Sequence, residues 1–148
     1  SPLMKDFRGK VSALVKDMSA RVKGHAAGAM TEWQDALERE KLALEAFMNF
    51  AREHKEIYRI IDEAEFVDPA SYRLHYEETA KRIFERLQEG SAAGDFRGEL
   101  EEAHAWAIMG MNVFLGMRYG IWSEEKSAVQ IADIANGILA KGIAADKD

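Results

Sequence analysis

From Ala105 to Met117 the only polar side chain is Asn112. The wider stretch Ala103–Trp122, projected at about 100° per residue, carries apolar positions around its whole circumference rather than in one stripe, the pattern of a buried helix. As a helix it would be roughly 30 Å long. A membrane span is excluded because Glu99, Glu101, Glu102 and His104 crowd one end and Arg118 the other, leaving too short an uncharged run. The pattern predicts the core helix of a soluble protein. A small helical domain rarely surrounds a helix on every side, so a second chain is expected to supply part of the cover.

The rest of the chain shows amphipathic helical spacing. Helix one is predicted from about Leu3 to Lys23, with Met4, Phe7, Val11, Leu14, Val15, Met18 and Val22 on one stripe and Gly24 and Gly28 ending it. Thr31-Glu32-Trp33-Gln34 reads as a capping box that opens helix two. Its inner positions are Trp33, Leu37, Leu44, Phe47, Met48 and Ala51, and it ends near His54. Helix three, Glu56–Phe66, turns Ile57, Ile60, Ile61 and Ala64 inward. Asp68-Pro69 supplies an N-cap and a first-turn proline for helix four. Tyr72, Tyr76, Thr79, Ile83 and Leu87 form its inner line, and Gly90 and Gly94 break it. Ser123 is the expected cap of helix six, whose stripe is Ala128, Ile131, Ala132, Ala135, Ile138 and Leu139 and whose stop is Gly142.

The spacing therefore predicts an all-α, six-helix single domain over residues 1–148, with no strand and no repeat. The short link between helices five and six predicts an antiparallel hairpin. Two such hairpins related by a two-fold axis would form an intermolecular four-helix bundle. Gly110, Gly116 and Gly120 each weaken a helix by about 1 kcal/mol relative to alanine. Gly116 and Gly120 share a face, which serves either close packing within one chain or a helix crossing between two. The expected dimer interface is Gly116, Gly120, Ala128, Ile131, Ala135 and Ile138.

Composition narrows the function. The net charge of −6 argues against nucleic-acid binding by the chain as a whole. Residues 1–25 carry a net +4 from Lys5, Arg8, Lys10, Lys16, Arg21 and Lys23 against Asp6 and Asp17. That is either a solvated helix face or the part best suited to lie near a polyanion. The chain has no cysteine, which excludes disulfides and thiolate metal sites and fits a cytoplasmic protein. No secretory leader opens the sequence, and Ser1-Pro2 reads as a cloning scar.

No pattern proposes an active site. Glu101-Glu102-Ala103-His104 contains the Glu-x-x-His spacing of di-iron bundles, but His25, His54 and His75 have no glutamate three residues before them. A solvated helix end accounts for it better than a metal. HExxH, GxSxG and a glycine-rich phosphate loop are all absent. What remains is an interior rich in aromatic residues and methionine: Phe47, Met48, Phe50, Tyr72, Tyr76, Trp106, Met109 and Val113, with His75, Asn112 and Glu63 as polar neighbours. Such residues make either plain core or the wall of a small-molecule pocket. Asn112 needs a partner, because an unpaired buried amide costs about 1–3 kcal/mol.

Three stretches carry a family resemblance. They are Ala46–Ile61, a helix broken near His54 and followed by a short helix; Asp62–Pro69, leading into a long helix at Tyr72; and Ala105–Gly110 followed by Arg118 and a last helix ending at Gly142. In this order they resemble the C-terminal ligand-binding and dimerisation domain of TetR/AcrR-type transcriptional repressors, over about residues 30–143. The resemblance implies a homodimer that senses a small apolar or aromatic effector and needs no cofactor. Residues 1–24 would be the connecting helix, with Phe7-Arg8-Gly9-Lys10 just past the place of a recognition helix. The N-terminal helix-turn-helix domain that reads operator DNA would be missing. Effector binding would tilt helix one and release the operator. The ligand-binding set is then Phe47, Met48, Phe50, Tyr72, His75, Tyr76, Trp106, Met109, Asn112 and Val113. The resemblance gives no role to Arg39, Arg59 or Arg118. Two rivals stand beside this reading: a structural dimerisation module without ligand, and a metal-binding helical bundle.

Overall fold

The computed structural model describes residues 2–29, 35–142 and Ala145. Six α-helices follow one another: α1 Pro2–Ala29, α2 Ala36–Glu53, α3 Lys55–Val67, α4 Pro69–Ala92, α5 Glu102–Gly116 and α6 Ala128–Lys141. The chain continues from α5 directly into a π-helical segment, Met117–Trp122. Among the described residues there is no strand, and no helix is long and apolar enough to cross a membrane.

The hub is α2 rather than α5. It packs against α1, α3, α4, α5, the π-helical segment and α6. Small residues on several of its faces permit this: Ala43, Ala46 and Ala51 are buried together with Leu44, Met48 and Phe50. Three apolar clusters result. Leu44 and Met48 of α2 meet Ala128, Ile131, Ala132 and Ala135 of α6. Ala80, Ile83 and Leu87 of α4 meet Ala105, Ile108 and Met109 of α5. Met18 of α1 meets Phe50, Ile57 and Ile61. Glu40 of α2 is also buried, and Arg86 of α4 satisfies it through two hydrogen bonds of 2.7 and 3.2 Å. Such a pair resists the loss of either partner, since one buried charge would be left alone.

Several local expectations change. Helix α1 runs through Gly24 to Ala29, because the glycine lies in an alanine-rich segment whose helix propensity is high. The expected capping box at Thr31–Gln34, and Trp33 with it, lies outside the described residues. The cap of α2 is Asp35, whose side chain accepts from the Glu38 N–H at 2.7 Å. Helix α4 passes Gly90 and ends at Ala92, and it is Gly94, at φ +83°, that turns the chain. Gly90 is needed for close approach: a Cβ there would lie 2.3 Å from the Phe96 ring. The cap of α6 is Ser127, four residues later than expected, in a reciprocal box with Gln130. Asp68 and Gly142 act as expected at their helix ends.

Helix α6 meets α5 and the π-helical segment where Met111, Leu115 and Tyr119 pack against the cluster of Ala128, Ile131, Ala132 and Ala135. Helix α6 lies chiefly on α2 and touches α5 only lightly. Gly116 and Gly120 likewise face α2. A Cβ on Gly116 would lie 2.6 Å from Phe47 Cε1, and one on Gly120 would lie 3.6 Å from Ala51 Cβ. With Ala128, Ile131 and Ala135 buried as well, five of the six expected interface residues are covered by their own chain. Only Ile138 is exposed. Both glycines thus admit close packing against α2 within one chain. The π turn is held from the same side, where the Arg52 guanidinium donates to the carbonyls of Tyr119 and Lys126.

Candidate functional site

Helix α5 is buried on one flank only. Ala105, Ile108, Met109 and Gly116 are enclosed, whereas Trp106 and Phe114 keep 41% and 65% of their surface. A single chain therefore covers α5 on one flank and leaves the other open. The exposed flank borders a groove of about 750 Å³ between α3, α4, α5 and the π-helical segment.

Helical spacing explains which side chains line it. Tyr58, Asp62 and Glu65 follow at four and three residues on α3. Pro69, Tyr72, Arg73, Tyr76 and Glu77 repeat the pattern on α4, and Trp106, Met109, Gly110, Val113 and Phe114 repeat it on α5. Met117 and Ile121 close the far end. Gly110 helps keep the space open, because nothing lies within 4 Å of where its Cβ would be. The Tyr72 and Tyr76 rings meet nearly edge to face, with centroids 5.0 Å apart.

Five of the ten expected ligand-binding residues line this groove: Tyr72, Tyr76, Trp106, Met109 and Val113. The other five do not. Met48 is wholly buried in the α2–α6 core. Phe47 stands beside Gly116 and meets the Tyr58 ring edge-on at 5.5 Å, behind the wall. Phe50 belongs to the α1–α3 cluster, with the His25 and His54 rings against it at 5.4 and 4.7 Å. His75 faces α1, where its Nδ1 is hydrogen-bonded to the Ser19 hydroxyl. Asn112 lies on the other flank of α5, in a smaller cleft of about 280 Å³ with Phe47, Thr79, Arg82 and Arg86. Glu63 is exposed and does not line the groove.

The reading of the sequence missed Tyr58, Asp62, Glu65, Pro69, Arg73, Glu77, Gly110, Phe114, Met117 and Ile121. A signal for some of them existed. Tyr58, Asp62 and Glu65 share a face of α3 adjoining its apolar stripe, but two of the three are charged, and a search for apolar positions passes over them.

The electrostatics of the wall are acidic. Arg73 Nε donates to Glu77 Oε1 at 2.7 Å, which neutralises that pair. Among the described residues neither Asp62 nor Glu65 forms an ion pair. Partial burial pushes the Asp62 carboxyl above its usual range, and the charge of Glu65 pushes it further. Burial raises the Tyr58 hydroxyl well above its ordinary value, and Tyr76 and Asp62 add to this. Burial and the adjacent Tyr72 raise Tyr76 likewise. All three tyrosines of the wall are thus neutral donors at ordinary pH.

Two contacts connect the groove to α1. The His75 ring stands against the Tyr76 ring, centroids 4.9 Å apart, and reaches Ser19 of α1. Burial, with the nearby Arg82 charge second, brings the His75 pKa from 6.5 down to about 4, so the ring is neutral. One turn earlier the Ser71 hydroxyl lies 2.8 Å from that of Ser12 and donates to the Asp68 carboxylate at 2.7 Å. That bond holds the Asp68 carboxyl below its usual range.

The arrangement can enclose and orient a molecule; among the described residues its polar lining is Tyr58, Asp62, Glu65, Tyr72, Arg73, Tyr76 and Glu77. Among the described residues no three histidine, aspartate or glutamate side chains gather as metal ligands. The Glu-x-x-His pair serves as a helix cap instead: the Glu101 N–H donates to His104 Nδ1 at 2.9 Å. Against known proteins, neither the models of protein families nor the curated sequences contain a match to this chain.

Proposed function

We propose that this chain is the effector-sensing and dimerisation domain of a TetR-type transcriptional repressor. A small apolar or aromatic molecule binds in the groove between α3, α4 and α5 and weakens operator binding by a DNA-reading domain attached ahead of α1. The observation that carries the reading is the groove of about 750 Å³, walled by Tyr58, Tyr72, Tyr76 and Trp106. A mainly apolar cavity of this size with a few convergent polar groups suits a small molecule. The contacts from Tyr76 through His75 to Ser19, and from Ser71 to Ser12, give a ligand a route to α1. The effector acts by favouring one of two α1 positions, which requires unequal affinity for the two.

The dimer forms, in this proposal, through surface that the protomer leaves uncovered. Ile134 and Ile138, one turn apart on α6, are 52% and 43% exposed, and Trp122 of the π-helical segment is 67% exposed. Native mass spectrometry beside a denaturing run tests both parts. A dimer that carries a non-covalent small-molecule adduct, lost on denaturation, is the expected result. A monomer, or a mass excess equal to iron or zinc, overturns the proposal.

A further inference from the structure

The groove has a charge as well as a shape. Five aromatic side chains, Tyr58, Tyr72, Tyr76, Trp106 and Phe114, line a space that also contains the carboxylates of Asp62, Glu65 and Glu77. The one basic residue in the wall is Arg73, and it is committed to Glu77 at 2.7 Å. Among the described residues Asp62 and Glu65 form no ion pair. Both carboxylates line the same groove as Tyr72 and Tyr76, and their charges add to the rise that burial gives the two hydroxyls. The wall contributed by α5 and the π-helical segment, with Met109, Val113, Phe114, Met117 and Ile121, carries no charge.

We infer that the ligand of this groove is an organic cation with an apolar body: an amine or quaternary ammonium head seated by the tyrosine and tryptophan rings beside Asp62 and Glu65, and a hydrophobic part lying along Val113, Phe114, Met117 and Ile121. The inference rests on the sensing role proposed above and names the chemical class sensed. Aromatic faces attract a cation through their quadrupole, most strongly where water is excluded. The two carboxylates add Coulombic attraction. Both are exposed at the groove edge, so salt weakens this part. A cation also offsets the repulsion from Glu65 that adds to the effect of partial burial on the Asp62 carboxyl. An anion with the same body meets an unneutralised acidic wall, which makes acyl thioesters and carboxylates poor ligands.

The test uses three probes that share one ring system: (1-naphthylmethyl)trimethylammonium, 1-naphthylmethanol and 1-naphthylacetate. Calorimetric titration of the full chain measures each. The cation is expected to bind about tenfold or more tightly than the alcohol, a ratio in the range of cation–π and ion-pair contributions, and the acetate most weakly. The double variant Asp62→Asn, Glu65→Gln, altered at two exposed positions, is expected to keep its melting temperature while losing most of the preference for the cation over the alcohol. Trp106→Leu reduces the same preference by removing a ring face. If the alcohol or the acetate binds as tightly as the cation, the cationic assignment falls and the small-molecule site stands. If none of the three binds, both fall.

Discussion

The two flanks of α5 are built from the same kinds of residue and end differently. On one, Gly116 lets Phe47 of α2 approach until a Cβ would lie 2.6 Å from the ring. On the other, Gly110 faces empty space, and Trp106 and Phe114 remain exposed around it. A glycine thus closes one interface and leaves the other open. The difference lies in what stands opposite. Helix α2 offers Ala51 and a Phe47 ring that fills the gap, whereas α3 and α4 offer tyrosines and charged side chains that line a wall without filling it. Filled surface adds to stability, and unfilled surface is where a ligand gains affinity.

The comparison predicts unequal responses to substitution. The largest is at Ile131, which is 1% exposed between α6 and α2. Ile131→Ala is expected to cost about 2–5 kcal/mol, whereas Phe114→Ala on the groove side costs no more than about 1 kcal/mol; denaturant titration of both measures the gap. Equal losses would mean that the groove is closed in solution.

Behind the groove wall, His75 makes stability depend on pH. Its native pKa of about 4 lies below the ordinary 6.5, so the unfolded chain takes up a proton that the native chain refuses. The contribution is complete above about pH 6.5 and is lost as pH falls towards 4, up to about 3 kcal/mol. His75→Gln should flatten that part of a stability–pH curve; an unchanged slope would place the imidazole in water.

Gly116→Leu is expected to cost about 1–3 kcal/mol by overpacking against Phe47. Urea melts give the value, and an unperturbed midpoint would show that Phe47 moves aside freely. The smallest effect has the opposite sign. Gly110→Ala meets no atom within 4 Å and should stabilise the chain by up to about 1 kcal/mol through helix propensity. Since the new methyl group occupies the groove wall, the same variant should bind bulky ligands less well. Stabilisation without any change in binding would move the ligand elsewhere.

The sequence by itself determined the helices. Apolar spacing of three and four residues set the stripes of α2, α3, α4 and α6, because a helix buries a repeating face whatever it packs against. Local chemistry set the caps at Asp68 and Gly142. Where competing signals lay close together, as with Ser123 and Ser127, the cap could be misplaced by one turn. Only the tertiary structure decided which helix faces which. An apolar face does not name its partner, so α6 could be matched with α5 on paper and lie on α2 in the fold. The same ambiguity divided the expected binding residues. Phe47, Phe50 and Tyr76 are all large aromatics on inner faces, and their neighbours alone send the first two into core and the third into a groove wall. Asp62 and Glu65 join one groove wall with the aromatic rings only in the fold.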